Sequence, residues 1–93
     1  MRDPFEEKRR EPRQPANGNV SVDPQDPIIG AGFEGTLVDV SAGGFRARHQ
    51  CPGLYPGLVV GFRHAKDRGQ ARVVWNRILG EEVESGFLVL AGA

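Results

Sequence analysis

The sequence predicts an all-β domain, a small six-stranded antiparallel β-barrel preceded by a flexible N-terminal arm. Three observations lead there. The chain has 93 residues, enough for one modest core, since a domain of this size buries roughly 60–70% of the surface exposed by its unfolded chain. Its 13 Gly and 7 Pro exceed a fifth of the chain, a composition that breaks helices and supplies turns. Short stretches of alternating apolar and polar residues recur between those turn signals, and closing such strands into a barrel removes exposed edges.

Residues 1–18 are polar, carry Pro4, Pro12, Pro15 and Asn17-Gly18, and show neither helical nor alternating periodicity. They are expected to form an extended arm, with at most one helical turn around Phe5 to Arg10, and residues 19–93 the barrel. Asn19 to Val22 reads as a short strand. Pro24, Pro27 and Gly30-Ala31-Gly32 bracket Ile28-Ile29, so this stretch is a loop holding at most an edge strand. Glu34 to Val40 is a strand and Ser41 to Gly44 a tight turn. Phe45 to His49 then alternates, with Phe45, Ala47 and His49 on one face and Arg46 and Arg48 on the other. These two strands make a hairpin. Pro52-Gly53 and Pro56-Gly57 mark turns before a strand at Leu58 to Arg63. Asp67-Arg68-Gly69 is expected as a hairpin loop, Gln70 to Asn76 as a strand, Gly80 and its acidic neighbours as a turn, and Ser85 to Leu90 as the last strand. Trp75 ends an apolar strand and is expected in the core.

Lys+Arg and Asp+Glu balance at 12 each, but unevenly along the chain. Residues 1–13 sum to +1, residues 14–43 to −4, residues 44–77 to +6 and the remainder to −3. Ten of the 12 basic residues are Arg, whose planar fork suits phosphate oxygens and the guanine O6/N7 edge better than the point charge of Lys. The arginines from Arg46 to Arg77 therefore have two readings, an anion-binding face or the ordinary charged positions of strands facing water. No apolar run approaches the roughly 20 residues of a membrane span. The first 13 residues carry nine charges with no apolar stretch behind them, so no secretory leader and a cytoplasmic location are expected. A single cysteine, Cys51, offers neither an internal disulfide nor a zinc site.

Two motifs carry chemistry. Arg9-Arg10-Glu11-Pro12-Arg13 places an Arg-x-x-x-Arg pair on the arm, either as solvated charge or as a mobile anion clamp. Asp39-Val40-Ser41-Ala42-Gly43-Gly44 is an Asp-x-Ser-x-x-Gly turn, and Asp and Ser often bond their own backbone in turns, so a structural role explains it as well as a binding role does. An enzyme is the least favoured class. His49 shares a strand face with Phe45, no third group orients His49 and Cys51 as a nucleophile pair, and Glu81, Glu82 and Glu84 read as solubilising charge in a turn.

Taken together, Lys8-Arg9-Arg10-Glu11-Pro12-Arg13, Leu37-Val38-Asp39-Val40-Ser41-Ala42-Gly43-Gly44-Phe45 and Ala71-Arg72-Val73-Val74-Trp75, with Gly86 opening the last strand, resemble the PilZ domain family of bacterial cyclic di-GMP receptors. The resemblance runs from about Lys8 to Leu90. It implies a six-stranded barrel that binds the dinucleotide on its outer surface, with the arm folding over it, and no catalysis, metal or cofactor. By that resemblance Arg9 and Arg13, with Arg10 as a helper, meet phosphate or guanine O6/N7. Asp39 accepts from guanine N1–H and the exocyclic amine, Ser41 adds a hydrogen bond, and Gly43 and Gly44 let the backbone approach a base without a Cβ in the way. Trp75 can stack a base as well as fill a core. Ordering of the arm on binding then signals to a partner protein. Many relatives continue past the barrel into a C-terminal helix, which is not expected in the few residues after Leu90, and Pro12 lies inside the Arg pair.

Two other classes remain. A small barrel can bind single-stranded nucleic acid through aromatic platforms, for which Phe45, Phe62 and Trp75 are the candidates. A ligand-independent interaction module would keep the fold and use the arm to bind protein.

Overall fold

The computed structural model describes residues 14–90. Seven strands are present, β1 (Gln14–Pro15), β2 (Asn19–Asp23), β3 (Phe33–Ser41), β4 (Gly44–His49), β5 (Val59–His64), β6 (Asp67–Leu79) and β7 (Glu82–Val89). All pairings are antiparallel, and the order β3-β2-β5-β6-β7-β4 closes on itself through β3–β4, giving a six-stranded barrel with β1 as an additional strand. Among the described residues there is no helix, and so none long and apolar enough to cross a membrane.

Residues 14–18, expected in the arm, lie along β3. Pro15 is opposite Asp39 and Asn19 opposite Thr36, so β1 and β2 form one strand interrupted by an extra residue, a bulge. Gly18 at φ +101° makes it. The main chain continues the ladder through the gap, with Ala16 N–H donating to the Val38 carbonyl at 3.1 Å and Leu37 N–H to that of Gly18 at 2.9 Å. A proline without an N–H and a bulge glycine hide this strand from a reading of periodicity.

The β5–β6 connection also differs from expectation. His64 pairs with Asp67, so Ala65-Lys66 is the turn and Asp67-Arg68-Gly69 is already strand. Gly69 signals a backbone need within the strand: its φ is +151°, and Phe62 Cε1 lies 3.8 Å from where a Cβ would stand.

Inward positions follow the alternation. Val20, Val22, Leu37, Phe45, Ala47, Val60, Phe62, Ala71, Val73 and Phe87 form one buried cluster with Leu54 from the loop before β5. Phe45 sits at its centre, stacked on Phe87 at 4.7 Å between ring centroids and 4.9 Å from Phe62. Replacing such a ring by Ala typically costs about 3–5 kcal/mol, so these three rings are a large fraction of the stability of so small a barrel.

Candidate functional site

Two further bulges decide what faces outward. On β3, Leu37 pairs with Ala47 but Asp39 pairs with Arg46, leaving Val38 as an extra residue. Strict alternation would put Asp39 on the core face with Leu37; the bulge turns it out. On β6, Val73 pairs with Phe87 and Trp75 with Gly86, so Val74 is the extra residue and Trp75 is turned out as well. The expected core position of Trp75 is thus corrected. Its indole lies over Gly86, where a Cβ would come within 2.3 Å of Nε1.

The outer face of β3, β4, β7 and β6 is consequently a grid of three rows. Ser41, Gly44, Leu88 and Arg72 form one row, Asp39, Arg46, Gly86 and Trp75 the next, and Thr36, Arg48, Glu84 and Arg77 the third. The turn residues Asp39, Ser41 and Gly44 therefore share a face with Trp75 and four arginines. Gln14 and Pro15 extend it, pairing with Val40 and Asp39. Arg9, Arg10 and Arg13 lie outside the described residues.

Charge on this face is closely matched. Asp39, 5% exposed, receives Arg46 Nε at 3.0 and 2.9 Å from its two oxygens and Arg46 Nη2 on Oδ2. The hydrogen bond that Arg46 donates to Asp39 raises the guanidinium pKa further, against partial desolvation. Glu84, expected as solubilising charge, is instead 2% exposed. It lies between Arg46 at 3.6 Å, Arg48 at 3.5 Å and Arg77 at 3.4 Å. A carboxylate withdrawn from water needs compensating charge and donors, and the in-register arginines of β4 and β6 supply both. The spacing Arg46-x-Arg48 and Glu82-x-Glu84 was visible in the sequence, but only the β4–β7 register shows which carboxylate meets which arginine.

The glycines of the turn have structural duties. Gly44 is extended strand without a left-handed φ. A Cβ there would lie 2.1 Å from the Phe87 carbonyl oxygen, so the backbone that approaches Gly44 is that of β7. The Gly43 carbonyl accepts from Val89 N–H at 2.8 Å. Ser41 Oγ–H donates across the turn to the Gly44 carbonyl at a long 3.4 Å.

His49 points inward, and a hydrogen-bond chain assigns its tautomer. Cys51 N–H donates to His49 Nδ1 at 3.1 Å, which leaves the ring proton on Nε2 to donate to Ser85 Oγ at 2.7 Å. Ser85 Oγ–H donates to Asn76 Oδ1 at 2.6 Å, and Asn76 Nδ2–H to the Leu54 carbonyl at 2.9 Å. Burial lowers the His49 pKa, which favours this neutral form. The chain fastens the loop at Cys51–Leu54 to β4, β6 and β7, and commits both ring nitrogens. Phe45 and Phe62 are both core residues, leaving Trp75 as the outward-facing ring of the three candidate base platforms.

A cleft of about 760 Å³ lies elsewhere, on β2, the start of β3, β5 and the start of β6, and none of Asp39, Ser41, Gly43 or Gly44 lines it. Among the described residues no group of three His, Cys, Asp or Glu side chains is placed to hold a metal ion. Neither a family model nor a curated protein matches the chain.

Proposed function

We propose that this barrel is a cyclic di-GMP receptor of the PilZ type that passes ligand occupancy to a partner protein without catalysis. One observation carries the reading most: Gln14, next in sequence to Arg13, pairs with Val40, between Asp39 and Ser41. The described chain thus begins beside Asp39 and Ser41 at a point next in sequence to the Arg-x-x-x-Arg motif, which supports a reading in which both motifs serve a single ligand. The neighbouring chemistry fits a guanine dinucleotide. Asp39 offers carboxylate oxygens for the N1–H and exocyclic amine donors, Trp75 offers a flat face, and Arg46 adds a guanidinium to those of the arm.

Asp39 is already engaged by Arg46. Guanine would take those oxygens while Arg46 stays partnered by Glu84, 3.6 Å away, so the carboxylate can exchange donors without stranding the arginine.

Isothermal titration of the folded chain with cyclic di-GMP, beside GTP and cyclic di-AMP, tests the proposal. The expected result is micromolar or tighter binding of cyclic di-GMP alone, lost in Arg13→Ala and in Asp39→Ala. Absence of binding by a sample with intact barrel circular dichroism overturns it.

A further inference from the structure

We propose that the cleft on the opposite side of the barrel is a second ligand site, suited to a nucleoside monophosphate, with the phosphate on Arg63 and Arg68 and the base edge toward Glu34 and Asp23. The inference starts from an imbalance. Arg46, Arg48 and Arg77 all converge on carboxylates. Arg63 and Arg68, by contrast, stand directly opposite one another on β5 and β6, both exposed, and neither side chain has an ion-pair partner among the described residues. Like charges directly opposite across two strands are destabilising. Lys66, in the adjoining turn, adds a third cation. An anion between the two guanidinium groups removes this repulsion and receives paired donors from each.

The cleft beside this pair is of ligand size, about 760 Å³, within the range of small-molecule sites. Gly61, an outward position of β5 opposite Asp23, contributes only main chain to its wall. A Cβ there would meet Gln25 Nε2 at 3.3 Å and Asp23 Cβ at 3.8 Å. Ser21, Gly32 and Gly69 complete the lining between the two walls.

The far wall is acidic. Glu34 pairs with Ser21, and Ser21 with Arg63, so Glu34 and Arg63 lie two strand spacings apart, about 10 Å between backbones. The two walls present opposite charge to one ligand. Inorganic phosphate engages only the arginines. A mononucleotide carries an anion at one end for the arginines and amino donors at the other end for carboxylate acceptors.

The proposal is independent of the Asp39 face, and the test keeps the two apart. The full chain, labelled with ¹⁵N, is titrated with GMP and AMP, and in separate arms with guanosine and inorganic phosphate, as wild type, Arg63→Gln/Arg68→Gln, Glu34→Gln and Asp39→Ala. The expected result is amide shifts at Ser21, Gly32, Gly61 and Gly69 with a nucleotide, at least tenfold tighter than with guanosine or phosphate. Affinity falls at least tenfold in the double arginine variant, falls severalfold in Glu34→Gln and is unchanged in Asp39→Ala. No shifts in the cleft, shifts confined to the Asp39 row, or phosphate binding as tightly as the nucleotide overturns the proposal. Arg63, Arg68 and Glu34 are exposed positions, so loss of binding in their variants by a sample with a native spectrum reads the site and not the fold, and Asp39→Ala, at a buried position, is compared only as a sample whose spectrum is native.

Discussion

Gly44 ends an Asp-x-Ser-x-x-Gly turn, and its replacement by Ala would ordinarily be used to test ligand contact. The geometry predicts that Gly44→Ala damages the barrel first. The added Cβ would stand 2.1 Å from the Phe87 carbonyl oxygen and 3.2 Å from its carbon, where ordinary contacts begin at 3.4 Å. Both listeners to this clash are backbone, so no side-chain rotation relieves it and β4 must part from β7 by about 1 Å, enough to take a hydrogen bond near 2.9 Å beyond useful length. The adjacent Val89 N–H to Gly43 carbonyl bond, 2.8 Å, is the nearest casualty. Losing about two backbone bonds at about 1 kcal/mol each, together with looser stacking of Phe45 on Phe87, gives a cost of about 2–4 kcal/mol. Against a total stability of about 5–15 kcal/mol that is severe, and it lowers Tm by about 10–30 °C. Urea unfolding followed by circular dichroism and tryptophan emission measures it. A Gly44→Ala protein within about 0.5 kcal/mol of the parent, well inside the range expected for a harmless surface change, refutes the argument. If the cost is confirmed, lost ligand binding in this variant says nothing about contact between Gly44 and a base.

Three other outcomes are expected. Gly86→Ala places a methyl within 2.3–2.9 Å of Trp75 indole atoms, but a side chain can yield, so a smaller cost of about 1–2 kcal/mol accompanies a red shift in emission from the one tryptophan; an unchanged spectrum contradicts the outward placement of Trp75. Glu84→Gln removes the carboxylate shared by Arg46, Arg48 and Arg77; because those arginines are partly solvated, a loss of about 1–3 kcal/mol is expected, less than for a wholly buried pair, and thermal melts of Glu84→Gln indistinguishable from the parent at low salt exclude it. Acid should loosen the barrel through His49. Its folded pKa lies below the ordinary value because of burial, so the unfolded chain binds the proton more readily: the His49 contribution is intact above about pH 6.5, declines as pH falls through that unfolded value, and levels off below the folded one. Protonation puts a hydrogen on Nδ1 facing Cys51 N–H. His64 is also shifted down by burial, so the difference between parent and His49→Gln from pH 8 to 5 isolates the effect, and equal slopes for the two proteins rule it out.

Much of the barrel was legible in the chain. Phe45-Arg46-Ala47-Arg48-His49 has the alternation of a half-buried strand, and in the structure Phe45, Ala47 and His49 are buried while Arg46 and Arg48 face out. The turn from Ser41 to Gly44, centred on Ala42-Gly43, and the turn at Gly80 are read correctly because a turn is a local event. The misreadings fall where a local signal has two uses. Gly69 resembles a turn glycine but serves a positive φ inside β6, and Asn17-Gly18 resembles a flexible arm but forms a bulge along β3.

What the residues by themselves determined is the class of structure, the inward set around Phe45, and the presence of Arg-x-x-x-Arg and Asp-x-Ser-x-x-Gly motifs in one small domain. Tertiary structure decided which face the Asp-x-Ser-x-x-Gly turn occupies. Alternation has a period of two, so one unpaired residue at Val38 or Val74 reverses every later side chain in its strand, and a bulge is defined only by the partner strand against which it is counted. That reversal carries Asp39 and Trp75 out of the core and onto one surface. Likewise, the charge of Glu84 was plain from the chain, but its burial among three arginines depends on β4, β6 and β7 meeting in a particular register, a property of the closed barrel and not of any one strand.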